Sequence, residues 1–113
     1  MANTFLNAKS DLSTTNLTTV YTVPSATTAI IKSILVSEDA GSGTTIDVTL
    51  VDASSNIFSL FKAKAVGSNT TVELLTQPLV LEESEVLKVQ AGDANELHVV
   101  ASILEIKPRQ VVT

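Results

Sequence analysis

Apolar residues alternate with polar ones along most of this chain, and clusters of turn-forming residues interrupt the alternation at short intervals. Ile46, Val48 and Leu50, for example, alternate with threonines and an aspartate. A period of two places apolar side chains on one face of a β-strand, whereas a helix needs a period of about 3.6. Short strands separated by turns are typical of β-sandwiches and barrels. We therefore predict an all-β fold, a single antiparallel, jelly-roll-like β-sandwich of about seven or eight strands.

The length and composition favour one packed domain. The chain has 113 residues, of which 44% are hydrophobic, so a single domain is expected and disorder is not. No apolar run approaches the roughly eighteen residues that a membrane helix needs. Both ends of the chain are polar with few apolar residues. We assign residues 1–14 to an N-terminal arm, residues 15–107 to the sandwich domain and residues 108–113 to a C-terminal tail.

The net charge argues against several classes of partner. Seven basic and twelve acidic residues give a formal net charge of −5. Affinity for phosphate comes mostly from Lys and Arg, so neither nucleic acid nor a membrane is expected as a partner. The N-terminal segment has neither the basic nor the apolar region of a signal peptide, so we do not expect secretion.

The residues that carry most enzyme chemistry are scarce. The chain has no cysteine, and His98 is its one histidine, which excludes thiol nucleophiles, cysteine-ligated zinc and any site with two histidines. A Ser–His–Asp triad stays formally possible. However, His98 lies within a predicted strand and no Gly-x-Ser-x-Gly motif is present. We interpret His98 as a strand residue at the surface or at a subunit contact, and we predict no enzyme activity, no cofactor and no metal.

Three other segments carry residues that could bind a ligand. The acidic and glycine-rich residues 38–43, and Asp93 with Asn95, offer oxygen ligands for calcium but lack the regular spacing of a calcium loop. Gly41-Ser42-Gly43 has no following lysine and is not a phosphate-binding loop. Residues 57–65 combine two phenylalanines with two lysines. We interpret them as a strand with a lysine-bearing outer face rather than as a nucleic-acid stacking surface.

Several segments occur in an order that is similar to that of a known family. They are YTVP at 21–24, TAIIKSI at 28–34, DVTLVD at 47–52, PLVL at 78–81, LKVQA at 87–91 and VASILEI at 100–106. Together they resemble small virion structural proteins of tailed bacteriophages, especially marine and cyanobacterial ones, over roughly residues 3–107. The chain departs from that pattern at two turns, Ser25-Ala26 and Glu83-Ser84-Glu85. The resemblance implies a compact β-sandwich, a place in the virion and no catalytic residue.

The same resemblance implies a function. We expect a capsid decoration or cement protein on the head shell, assembled in the host cytoplasm and bound to copies of itself and to the major capsid protein or tail components. Two alternatives stay open: an accessory protein of the neck, tail or baseplate, and a carbohydrate-binding β-sandwich module. The second usually needs exposed aromatic side chains, and this chain has no Trp and only Tyr21 as its tyrosine.

Self-association is expected because the predicted strands carry more apolar residues than one small core needs. Shell geometry and similar proteins favour a homotrimer. The terminal segments are the candidates for its contacts, since each carries apolar residues that form no core of their own. The predicted subunit-interface residues are Phe5, Leu6, Val111 and Val112.

Overall fold

A computed structural model describes residues 2–108, and these residues form nine β-strands and no helix. In chain order the strands are β1 (Ala2–Leu12), β2 (Thr18–Thr22), β3 (Thr28–Glu38), β4 (Thr44–Val51), β5 (Ile57–Val66), β6 (Thr71–Glu73), β7 (Leu79–Leu81), β8 (Val86–Ala91) and β9 (Leu97–Lys107). Within the described range, therefore, no helix is long and apolar enough to cross a membrane.

The strands form two antiparallel sheets with jelly-roll topology. The larger sheet has the order β1-β9-β3, and the far edge of β3 pairs with both β6 and β7. The smaller sheet has the order β2-β8-β4-β5. Because β6 and β7 share one edge position, the nine strands fill eight positions, in the order of a jelly roll built from two Greek keys. The predicted jelly-roll-like sandwich is thus confirmed.

The core lies between the sheets and follows from the period-two pattern. Alternate residues of each central strand point inward, as Val99, Ala101 and Ile103 do on β9. The residues between them point to the outer face. The most completely buried large side chains of the core are Leu12, Ile31, Ile34, Ile46, Leu81, Leu87, Leu97 and Ile103.

The segment predicted as an N-terminal arm is in fact the first strand of the roll. Residues 2–12 pair with β9 along its whole length, from Ala2 opposite Lys107 to Leu12 opposite Leu97. Leu12 is buried, and Leu6 packs against the core. Small residues occupy much of the inner face of β1, so its hydrophobic pattern is weak and its burial follows from pairing with β9.

A bulge in β5 is held by a carboxylate of β4. The β4–β5 register shifts between Ile46 and Thr49. In the bulged segment Ala63 adopts a left-handed backbone with a φ of 51°. Its backbone N–H donates to Oδ1 of Asp47 at 2.6 Å. Asp47 therefore supplies the hydrogen-bond acceptor that the irregular pairing removes from Ala63.

The conformation of Ala63 predicts a stabilising substitution. A non-glycine residue in the left-handed region costs about 1–2 kcal/mol, whereas the extra freedom of glycine in the unfolded chain costs about 0.4–1 kcal/mol. We expect Ala63→Gly to raise the free energy of unfolding by about 0.5 kcal/mol in urea titrations. Ala65→Gly on the same strand is the control and should lower that free energy. A lower stability for Ala63→Gly would contradict the strain argument.

Candidate interaction surfaces

A row of apolar side chains crosses the outer face of the larger sheet. Phe5 on β1 lies opposite Leu104 on β9, Leu104 lies opposite Ile30 on β3, and Ile30 lies opposite Val80 on β7. Residues directly opposite in a sheet point to the same face. We call this set, Phe5, Leu104, Ile30 and Val80, the apolar row.

The apolar row is open to solvent at both ends. The exposed fractions are 73% for Phe5 and 56% for Val80, and the two central side chains are half-buried. The next row on one side is polar, with Asn7 opposite Ser102 and Ser102 opposite Ser33. The row on the other side contains Ile106 between Asn3 and Thr28, and Leu35 lies opposite Val100 beyond the serines. An outer face of an antiparallel sheet is normally polar, and the apolar row is the longest run of apolar side chains across this face.

The structure separates the two predicted interface residues of β1. Phe5 points outward as the first member of the apolar row, whereas Leu6 points inward and packs against the core of its own sandwich. Neighbouring residues of a strand face opposite sides of a sheet, so the two cannot contact one flat partner surface together. The other predicted interface residues, Val111 and Val112, lie outside the described residues.

A groove of about 560 Å³ lies on the outer face of the smaller sheet. Two exposed apolar side chains, Leu17 and Ile57, line it. Between them runs a polar row in which Thr49 lies opposite both Lys88 and Ser59. The Thr49 hydroxyl is buried and is the one buried side-chain polar atom of residues 2–108 without a hydrogen-bond partner. That atom has almost no accessible surface, so the polar groups that the groove offers to a ligand are those of Asp47, Lys88 and Gln90.

His98 lies on the outer face of the larger sheet between two carboxylates. Its Nε2 atom is 3.3 Å from Oδ1 of Asp11, and its Nδ1 atom is 3.6 Å from Oδ2 of Asp39. A catalytic triad needs one imidazole nitrogen directed at a nucleophile, whereas here both nitrogens face carboxylates. His98 is thus a partly exposed strand residue in contact with two carboxylates.

The Glu38 carboxylate is an internal anion that organises two loops. The side chain is only 2% exposed. Its oxygens accept four backbone N–H groups, from Asn69 at 2.9 Å, Gly41 at 3.0 Å, and Ser42 and Gly43 at 3.3 Å. These hydrogen bonds, above all the one from Asn69, outweigh burial and lower the pKa of Glu38 to about 2.

The hydrogen bonds of Glu38 argue against its use as a calcium ligand. Its carboxylate is occupied by backbone donors and is not directed at a cation. Asp93, the other acidic residue considered, accepts a hydrogen bond from the Thr44 hydroxyl at 2.7 Å. Within residues 2–108, no group of three or more acidic or histidine side chains is arranged to hold a metal ion.

The gap between β6 and β7 is closed by a second carboxylate. Oε2 of Glu73 accepts the backbone N–H groups of Ile34 at 2.8 Å and Leu75 at 3.0 Å. Burial disfavours the charged form of Glu73. Hydrogen bonds from the Ser33 hydroxyl and these backbone groups prevail, so its pKa is lowered. Glu73 thus completes the edge of the sheet that carries Val80.

Tyr21 points into the sandwich. It is a buried residue of β2, and its hydroxyl donates to Oε2 of Glu105 on the opposite sheet. Burial, together with this hydrogen bond to a carboxylate, raises the pKa of Tyr21. The ring is therefore not available to stack on a sugar, which was the role that the carbohydrate-binding alternative required of it.

Comparison with known proteins gives structural similarity without sequence similarity. No known protein family and no curated protein matches the sequence. The fold is similar to part of a chain in the structure of infectious bursal disease virus, Gx strain, with a TM-score of 0.51 and 11% identity over 91% of this chain. It is also similar to the C-terminal family 22 carbohydrate-binding module of Clostridium thermocellum Xyn10B, with a TM-score of 0.41 and 21% identity over 80% of this chain.

This chain spans 32% of the virus chain and 60% of the carbohydrate-binding chain. At 11% identity, the likeness to the virus chain is one of fold alone. The property that this chain shares with the virus chain is the β-sandwich fold.

Proposed function

We propose that this protein is a structural protein of a tailed-bacteriophage virion, and specifically a decoration protein that binds the head shell through the outer face of its larger sheet. The apolar row carries this proposal. Contiguous exposed apolar stripes mark surfaces of protein–protein contact. Phe5 and Val80 lie at the two ends of the stripe, so a partner that covers it spans the width of the sheet.

Rigidity supports the same role. The apolar row lies across paired strands of one sheet, so the backbone positions of its four residues are fixed before any partner binds. A preformed surface loses little conformational entropy on binding, which suits a protein that must occupy many equivalent sites. The ordered resemblance to phage virion proteins and the fold shared with a chain of a virus structure are consistent with this role.

The copy number in the virion separates the head from the tail. Quantitative mass spectrometry of purified virions should find this protein at hundreds of copies, since shell sites repeat by symmetry. About a dozen copies or fewer would instead support the neck, tail or baseplate alternative. Absence of the protein from purified particles would contradict a virion role altogether.

The groove on the smaller sheet is the observation that favours the carbohydrate-binding alternative. Its Asp47, Lys88 and Gln90 side chains are suited to polar ligands. Glycan-array binding that saturates, is lost in Lys88→Ala and persists in Val80→Asp would favour this second function. Absence of saturable binding would leave the virion role as the better account.

A further inference from the structure

Three of the four sheet edges carry features that prevent strand addition. β5 has two register shifts and carries Lys62 and Lys64, β2 has five residues and a register shift, and β6 and β7 have three residues each. Bulges, lysines and short strands are the usual means of blocking an edge. The β5, β2 and β6–β7 edges are therefore protected.

The fourth edge, β1, has none of these features apart from a single lysine. It has eleven residues, holds one unbroken register with β9, and contains neither proline nor glycine. Within the described part of the chain, no strand pairs with its outer side. A long, regular and unpaired edge strand is a template for another strand.

We propose that β1 pairs antiparallel with β1 of a second copy, with Phe5 opposite Phe5 across a two-fold axis. The two larger sheets then form one continuous sheet. Because paired residues share a face, the two apolar rows join into a single stripe that runs from Val80 of one copy to Val80 of the other. The second copy is the occupant that this edge fits best, because its apolar row continues the stripe.

The side chains of β1 select this register. Antiparallel pairing keeps the two outer faces on the same side only when outward residues oppose outward residues. When Phe5 of one copy lies opposite Phe5 of the other, Asn3 lies opposite Asn7. The side-chain amides of the two asparagines then face each other, and the two aromatic rings form a pair. A shift that places Phe5 opposite Asn3 or Asn7 breaks the stripe and sets an aromatic ring against an amide.

This contact predicts a dimer in place of the trimer expected from shell geometry. A two-fold pairing uses the β1 edge of both copies and leaves none for a third. The inference concerns self-association only and does not depend on a virion role. A dimer that is absent from virions would contradict the proposed function and leave this inference intact.

Single cysteines test the register directly, because the natural chain has none. Opposite residues of antiparallel strands have Cα atoms about 4.5–5.5 Å apart, which fits a disulfide. Under mild oxidation, Phe5→Cys should give at least about tenfold more disulfide-linked dimer than Ile57→Cys, an exposed control on the other sheet. Asn3→Cys and Asn7→Cys should cross-link when mixed with each other and not when alone. Equal cross-linking of Phe5→Cys and Ile57→Cys, or no cross-linking of the mixture, would overturn the proposal.

Light scattering provides a second measurement on unmodified protein. The 11.9 kDa chain should give a dimer of about 24 kDa, twice the chain mass. Phe5→Lys places like charges opposite each other and should give a monomer whose circular dichroism is unchanged. Val80→Lys, at the far end of the same row, should remain a dimer. A monomeric or trimeric natural protein, or a dimer that Phe5→Lys leaves intact, would refute the two-fold contact.

Discussion

Replacing Glu38 with alanine is expected to lower the melting temperature by on the order of 10 °C at neutral pH. The substitution leaves four backbone N–H groups without their common acceptor, in a site where the side chain is 2% exposed. Glu38→Gln keeps one acceptor oxygen but turns an amide N–H₂ toward backbone donors, so it should fall between alanine and the natural residue. Glu82→Ala, an exposed glutamate of another loop, should change the melting temperature by no more than about 2 °C.

The lowered pKa of Glu38 predicts part of the protein's loss of stability in acid. In the folded protein the pKa of Glu38 is lowered from its ordinary value of 4.5 to about 2. A lowered carboxyl pKa contributes stability that is present above pH 4.5 and is lost as the pH falls toward 2. Melting temperatures measured from pH 6 to pH 2 should therefore fall less steeply in Glu38→Gln than in the natural protein. Parallel curves for the two proteins would contradict the assigned role of Glu38.

The fold was predictable because the strands follow from the alternation of apolar and polar residues, and the ends of the strands follow from the turn clusters. Ile46, Val48 and Leu50 were predicted to form one face of a strand, and the structure places them on the inner side of β4. Leu97, Val99 and Ile103 alternate in the same way and lie on the inner face of β9. In both strands burial depends on a local pattern, so it can be predicted without knowing which strand lies next to which.

The first strand was not predictable in the same way. In β1 the inward positions are occupied partly by Ala8 and Ser10, which give little hydrophobic signal. Its position as an edge strand comes from pairing with β9, nearly a full chain length away. Phe5 and Leu6 are apolar residues in a polar segment, but their opposite directions follow only from that pairing.

The candidate site also depends on long-range register. Ile30 and Leu104 are apolar residues at outward positions of strands whose inward positions are also apolar, and this surplus was visible in the sequence. Their alignment with Phe5 and Val80 requires the register of four strands. Three of the four backbone donors around Glu38 come from residues 41–43, in the loop that directly follows it, and the fourth comes from Asn69, 31 residues away. The contact with Asn69 depends on the tertiary fold and could not be predicted from a local motif.

Placing a carboxylate on the apolar row should remove the protein from the particle. Val80→Asp introduces a charge at a position that the docking partner would bury, and an unpaired buried charge weakens an interface strongly. Since tenfold in affinity corresponds to about 1.4 kcal/mol, incorporation should fall by at least about tenfold. Val80 is 56% exposed on the short strand β7, so the fold should tolerate this change.

Ile57→Asp is the matched control for that substitution. It introduces the same charge at an aliphatic side chain that is 68% exposed, but on the outer face of the other sheet. Both variants should keep the circular dichroism and the melting temperature of the natural protein within about 2 °C, because neither alters a buried contact. A difference between the two variants in particle binding would then be caused by the face that carries the charge and not by a folding defect.

The most direct measurement is a competition between natural and variant protein during particle assembly, with the ratio of the two in purified virions read by mass spectrometry. The apolar row predicts that Val80→Asp is depleted at least about tenfold relative to the natural protein. It also predicts that Ile57→Asp is incorporated about equally with the natural protein. Equal incorporation of both variants, or selective depletion of Ile57→Asp, would contradict docking through the larger sheet.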